Sequence, residues 1–233
     1  DANLQIQPSS VDLSLSNECF QIKASFLSPK NKVRDKLKKI SFKKIDIKKP
    51  QIFKKNKTYI VRVNEKLNLD NSIKGYCNPK SSTGRLDIFC RTILDYSDEY
   101  EKIPKNYKGE IFLEITTRSF DIQFRQGDKL NQMRLVSKNN KYLNDNNLIK
   151  THNKNPILFG RKSNFIDNGL KVSVDLSNDN KVCAFVAKKI TNYIDFSKIN
   201  FYENKKYWKP LKPINKTLII EKDKFYILKS KEK

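Results

Sequence analysis

Tyr107-Lys108-Gly109-Glu110-Ile111-Phe112-Leu113-Glu114-Ile115 is the stretch on which the fold turns. Tyr107-Lys108-Gly109 makes a turn, and a strand follows it. At a period of two, Ile111, Leu113 and Ile115 share one face, and Glu110, Phe112 and Glu114 share the other. Apolar residues on both faces mean burial on both faces. A carboxylate among such neighbours has the surroundings of a general acid or base. The competing reading is an exposed Glu on an edge strand.

Similar stretches recur on both sides: Val11–Leu15, Phe20–Phe26, Thr58–Val63, Leu86–Phe89, Phe120–Phe124 and Met133–Val136, punctuated by Pro, Gly, Asn and Ser. One helix is expected within Lys30–Lys39, where Val33, Leu37 and Ile40 fall on one side. Many short strands at this spacing predict a mainly β chain, a distorted barrel or jelly roll. Residues 138–156 are rich in Asn and Lys and read as a linker. Strand-like stretches resume at Gly169–Leu176, Val182–Ala187, Thr217–Ile220 and Lys224–Leu228.

The two halves share a weak repeat. Val11-Asp12-Leu13-Ser14 reappears as Val174-Asp175-Leu176-Ser177. Lys57-Thr58-Tyr59-Ile60 is matched by Lys224-Phe225-Tyr226-Ile227, and in that register Glu65 meets Glu232. The shared order favours duplication over chance. The expected organisation is a first unit over 1–137, the linker, and a second, incomplete copy over 157–233.

Composition excludes several classes. The chain has 233 residues and a formal net charge of +23. Such a charge suggests nucleic acid. Here, however, the excess is almost all Lys, accompanied by abundant Asn, as an AT-rich genome produces at neutral surface positions. Arg, which reads phosphates and bases in a fork, is scarce. No nucleic-acid partner is expected. No apolar run approaches the roughly 18 to 20 residues of a membrane span, so no membrane partner is expected either. Cys19, Cys77, Cys90 and Cys183 form no C-x-x-C pair, and His152 is the one histidine. A zinc site is not expected. Buried free thiols in a reducing cytoplasm fit these cysteines.

The densest polar cluster is Asn78-Pro79-Lys80-Ser81-Ser82-Thr83-Gly84-Arg85. It supplies three hydroxyls, two cations, and backbone N–H groups beside a Gly that permits an unusual turn. Such a group can wrap a phosphate chain. It lacks the spacing of a P-loop. A solvated turn between strands is the alternative.

Four stretches together resemble the dUTP diphosphatase and dCTP deaminase superfamily. Gln5-Ile6-Gln7-Pro8-Ser9-Ser10-Val11-Asp12-Leu13 is similar to the opening deaminase motif. Ser81-Ser82-Thr83-Gly84-Arg85 resembles the phosphate-binding serine motif, and Tyr107–Ile111 and Gly127–Gln132 resemble the later strand motifs. The resemblance is strongest to the long, tandem dCTP deaminases of alphaproteobacteria. Inside the motif, Pro104 stands where a diphosphatase has its water-activating Asp, and Glu114 stands where a deaminase has its Glu. Both positions favour deamination.

The resemblance implies hydrolysis of dCTP to dUTP and ammonia, supplying dUTP toward dUMP and dTTP synthesis, in the cytoplasm. Glu114, Ser81 and Arg85 would be catalytic. Lys80, Ser82, Thr83, Tyr107 and Gln132 would line the substrate site, with Tyr107 as well suited to packing and Gln132 to a structural role. Mg²⁺ would arrive on the substrate triphosphate. A homo-oligomer is implied, a trimer or its tandem equivalent. The stretch from Arg85 to Glu114 is longer than in short deaminases, which leaves open which residues of Asp95–Lys102 meet the base. The alternatives are a bifunctional deaminase–diphosphatase and a non-catalytic nucleotide-binding module. The zinc cytidine deaminases are excluded, because their C-x-x-C motif is missing.

Overall fold

The computed structural model describes residues 5–137, 143–159 and 165–232. In chain order the elements are β1 (Ile6–Gln7), β2 (Ser10–Ile22), α1 (Val33–Ile40), β3 (Ser41–Asp46), β4 (Gln51–Phe53), β5 (Thr58–Asn68), β6 (Ile73–Pro79), α2 (Ser81–Arg85) and β7 (Ile88–Leu94). Next come β8 (Lys102–Ile103), β9 (Lys108–Thr117), β10 (Ile122–Phe124), β11 (Lys129–Ser137) and α3 (Asp145–Lys154). The last are β12 (Ala184–Ala187), β13 (Ile194–Asp195), α4 (Asn204–Tyr207), β14 (Trp208–Leu211) and β15 (Tyr226–Leu228). Two compact units result: residues 1–138 with 189–202, and residues 139–188 with 203–233.

The first unit is a mainly β, nearly closed barrel. Its sheet runs β7-β9-β5-β2-β11-β6-β8, with β1 and β3 added on β2. Antiparallel registers fix which side chains point inward: Thr92 faces Leu113 across β7 and β9, and Leu113 faces Val61 across β9 and β5. Ile111, Leu113 and Ile115 are fully buried inside the barrel. The opposite face of β9 is also covered. Phe112 packs with Ile22, Ile60 and Ile93 against Val33 and Leu37 of α1, and Phe20, Phe26, Ile40 and Tyr100 close the rim. β9 is therefore buried on both sides, as its sequence requires.

α1 is held over this face by charge as well as by apolar contact. Its first turn carries Asp35 and its last turn Lys38 and Lys39, in the sense that suits the helix dipole. Arg34 donates to Glu18 on β2 (2.8 Å) and to Glu110 on β9 (2.5 Å). The Arg34 guanidinium holds both carboxyls below the usual carboxylate range. Asp95 caps the helix, its Oδ1 accepting from Val33 N–H at 2.7 Å.

A three-stranded sheet, β13-β10-β4, sits in the same unit. Ile122 faces Phe53 on one side and Ile194 on the other. Phe53 stacks on Tyr59 and meets Phe124 edge-on, with ring centroids at 4.1 and 4.9 Å. Arg125 pairs with Asp195 at 2.8 Å. These contacts bring residues 189–202 into the first unit, although the sequence reading assigns them to the second.

The second unit repeats part of the first at matching registers. The sheet β14-β12-β15 reproduces β3-β2-β5: Ala184 faces Leu211 and Leu228 as Cys19 faces Ile45 and Val61. Backbone N–H of Lys54 donates to Tyr59 Oη at 3.1 Å, and that of Glu221 donates to Tyr226 Oη at 3.1 Å. Glu65 accepts from both N–H and Oγ of Ser14, as Glu232 does from Ser173. The structure thus aligns Ser14 with Ser173. The Val-Asp-Leu-Ser identity lies four residues out of that register.

Other departures have local causes. Phe20–Phe26 is not a separate strand, because β2 runs unbroken from Ser10 to Ile22 through an irregularity between Leu15 and Cys19. Thr217–Ile220 makes only an isolated bridge, Ile214 to Thr217. Residues 138–142 of the segment read as a linker lie outside the described residues. Its remainder holds α3, whose Asn144 side chain accepts from Asn147 N–H and whose Asp145 accepts from the N–H groups of Asn168 and Gly169.

Candidate functional site

Glu114 lies mid-strand on β9 and is 1 % exposed. Its neighbour across the ladder is Arg91 on β7. Arg91 Nη2 and Nε both donate to Glu114 Oε1, at 2.5 and 3.2 Å. Glu114 Oε2 is enclosed and has no hydrogen-bond partner among the described residues. The guanidinium is held in turn by rings: its Cζ lies 3.8 Å from the Tyr100 centroid and 4.8 Å from that of Phe89. The result is a fixed carboxyl group with one oxygen held by Arg91 and the other enclosed without a hydrogen-bond partner among the described residues.

Arg91 is absent from the sequence reading, yet it left a signal. It is the one charged residue in Ile88–Leu94, an otherwise apolar or small strand. Its partnership with Glu114 depends on ladder register, which spacing along the chain does not reveal.

The serine cluster forms a short helix and not a loose turn. α2 begins at Ser81 with Lys80 as its N-cap. Gly84 N–H donates to Lys80 C=O at 3.1 Å. The expectation of an unusual turn at Gly84 is not met: the residue is helical, and a Cβ there would meet nothing within 4 Å. Its small size leaves the helix surface open without any demand on φ.

The cluster divides into anchored and open side chains. Thr83 is fully buried and its Oγ1 donates to Leu130 C=O at 2.8 Å, tying α2 to β11. Lys80 is ion-paired with Asp12 of β2, which is 2 % exposed. Ser81, Ser82 and Arg85 are exposed, and no side-chain hydrogen bond or ion pair engages them among the described residues. The first-turn N–H groups of a helix lack intrahelical acceptors. Ser81 and Ser82 thus present donors beside the open Arg85 cation. No hydrogen bond or ion pair joins this group to Glu114 among the described residues.

Gln132 lies beside both Asp12 and Asn78 in the sheet and accepts from Ser10 Oγ at 3.2 Å. Tyr107 is 7 % exposed. Its hydroxyl donates to Glu110 C=O at 2.5 Å and accepts from Asp95 N–H at 3.3 Å, and burial raises its pKa. A Cβ on Gly109 would come within 2.9 Å of that hydroxyl, so the turn needs Gly.

Asp95–Lys102 divides in a similar way. Asp95 caps α1, Tyr100 stacks on Arg91, and Glu101 accepts from Thr92 N–H at 3.0 Å. Tyr96, Asp98 and Lys102 line a cleft of about 260 Å³ with Tyr76 and Pro104. A larger cleft of about 400 Å³ belongs to the second unit, where Leu211, Ile214 and Tyr226 meet Lys209, Lys212 and Lys224. It contains none of the candidate residues.

All four cysteines are buried and free. Burial raises the pKa of Cys19, Cys77 and Cys90, with Cys77 pushed up to about 12. Among the described residues, no group of three or more His, Cys, Asp or Glu is placed to hold a metal ion. No helix among them is long and apolar enough to cross a membrane.

The 2'-deoxycytidine 5'-triphosphate deaminase N-terminal domain family matches residues 2–139, and the C-terminal domain family matches residues 144–233. No curated protein matches the sequence. Among solved structures, 2'-deoxycytidine 5'-triphosphate deaminase from Agrobacterium tumefaciens is similar, with a TM-score of 0.91 and 34% identity over 98% of this chain and 69% of that one. By these matches, and with a barrel of the expected kind carrying Glu114, the chain belongs to the 2'-deoxycytidine 5'-triphosphate deaminase family.

Proposed function

We propose that this enzyme removes the amino group of dCTP by hydrolysis, with Glu114 as the base. Glu114 Oε2 takes a proton from water, and the hydroxide attacks C4 of cytosine. Glu114 passes that proton to the ring nitrogen, then carries the proton of the new C4 hydroxyl to the amine, and ammonia leaves as the C4 carbonyl forms. The observation that carries this reading is the asymmetry of Glu114: Arg91 holds one oxygen and the other has no partner. Pro104 has no side chain that can serve as a base, which separates the reading from diphosphatase chemistry.

Ser81 and Arg85 position the water and balance charge in the tetrahedral intermediate. Lys80 and Ser82 hold the triphosphate, which brings its own Mg²⁺. Thr83 contributes by fixing α2 on β11, and Gln132 and Tyr107 shape the site. Ser81, Ser82 and Arg85 are open to solvent and not joined to Glu114, which supports completion of the site by another copy of the chain, a trimer or its tandem equivalent. Residues 1–137 act as the catalytic unit and 157–233 as a second deaminase-like copy; the repeated registers support the copy, while residues 189–202 within it pack with the first unit. A deoxynucleotide substrate favours the cytoplasm.

The experiment is product analysis with dCTP. Equal amounts of dUTP and ammonia are expected. Pyrophosphate with dUMP, or nucleotide binding without turnover, would contradict the proposal.

A further inference from the structure

The barrel has a gap that a single residue bridges. β7 ends the strand path on one side, and β6, which carries only the two-residue β8 beyond it, approaches β7 without a shared ladder. Glu101 spans them. Its C=O accepts from Cys77 N–H on β6 at 2.8 Å, and its N–H donates to Thr92 C=O on β7 at 3.3 Å. Its Oε1 accepts from Thr92 N–H at 3.0 Å. Both backbone groups of Thr92 on that edge are therefore satisfied by one residue. Glu101 adopts φ 64, a left-handed conformation that costs a non-Gly residue energy and persists only where its surroundings impose it.

The seam adjoins the site through the chain itself. Thr92 follows Arg91, and Arg91 donates twice to Glu114 Oε1. Asn131 lies against Glu101 and Cys90 on the inner face, and Cys77 against Thr92. Asn131 is fully buried, and its amide atoms make no hydrogen bond of full geometry among the described residues. Glu101 Oε2 and Thr92 Oγ1 are likewise enclosed without one.

We propose that Glu101 is a positioning residue for the deamination: by closing the barrel onto Thr92 it fixes the segment of β7 from which Arg91 orients Glu114. The inference rests on Glu114 as the base. Reach is the requirement, because the bond that matters runs from Thr92 N–H to a side-chain oxygen. Gln keeps that oxygen at the same distance, whereas Asp keeps the charge and is one methylene too short.

The test compares Glu101→Gln and Glu101→Asp under steady-state conditions. Glu101→Gln should keep kcat within about threefold. Glu101→Asp should lose about tenfold or more in kcat with KM within about threefold, since a displacement of about 1 Å at a reacting group has that scale of effect. An unchanged kcat for Glu101→Asp, an equal loss in both variants, or a change confined to KM would overturn the proposal. Should Glu101→Asp fail to fold, amide exchange in the unmodified protein decides. Thr92 and Cys77 should then be as protected as Leu113 in the β5–β9 ladder, and fast exchange at either would overturn it. Failure of Glu114 as the base would show separately, as unimpaired turnover by Glu114→Gln.

Discussion

At the scale of single residues, Arg91 and Lys80 illustrate how a buried carboxylate ties function to stability. Arg91→Ala leaves Glu114 charged, buried and unpaired, a loss of about 3–5 kcal/mol. Arg91→Lys keeps a cation but not the fork. We expect Arg91→Lys to fold and to lose about tenfold or more in kcat with little change in KM; a KM effect alone would remove Arg91 from the base. Lys80→Ala would strip the partner from Asp12, whose Oδ1 already lacks a hydrogen bond. Its thermal midpoint should fall together with dCTP affinity. Arg85→Ala should leave the midpoint unchanged and lower kcat, because Arg85 is exposed and held by no partner among the described residues. A fall in the Arg85→Ala midpoint as large as that of Lys80→Ala would contradict the division.

At the scale of elements, the carboxyls give the fold a pH dependence of predictable sign. Burial pushes Glu101 up to about 7 from an ordinary 4.5. Below about 4.5 it is protonated whether the chain is folded or not. As pH rises toward 7 the unfolded chain ionises first, so the stability it contributes is lost over that window. Glu101→Gln should flatten the fall in thermal midpoint between pH 5 and 7, by the order of 2 kcal/mol. An unchanged slope would show that another group is responsible. Glu18 and Glu110 act in the opposite sense: paired with Arg34, they contribute stability at neutral pH that is lost as acid protonates them. Legibility follows similar lines. β9 was readable because both of its faces are apolar, and α1 because Val33, Leu37 and Ile40 recur at helical spacing. β3 and β6 were not, since Ser-Phe-Lys-Lys-Ile-Asp and Ile-Lys-Gly-Tyr-Cys-Asn-Pro lack a clear apolar alternation. Their ladders hold them in place.

At the scale of the whole molecule, the chain carries a formal net charge of +23. The family was legible in four short stretches, but the working arrangement of the site was not. Glu114 could be named from its place after Tyr107-Lys108-Gly109, while its Arg91 and Tyr100 support needs the register of β7 and the return of the chain at Tyr100. The repeat was visible through Tyr59 and Tyr226, and its correct alignment came only from pairing. Because the sequence carries no zinc-ligand motif, turnover with excess Mg²⁺ should survive a zinc-selective chelator; loss of activity restored by zinc would contradict this. The central claim is tested most directly by Glu114→Gln, with dCTP binding measured by calorimetry and ammonia release on one preparation. An amide of the same shape cannot take the proton, so binding should persist while turnover falls by about 10² to 10⁴. Deamination within a few-fold of the unaltered protein would contradict the account.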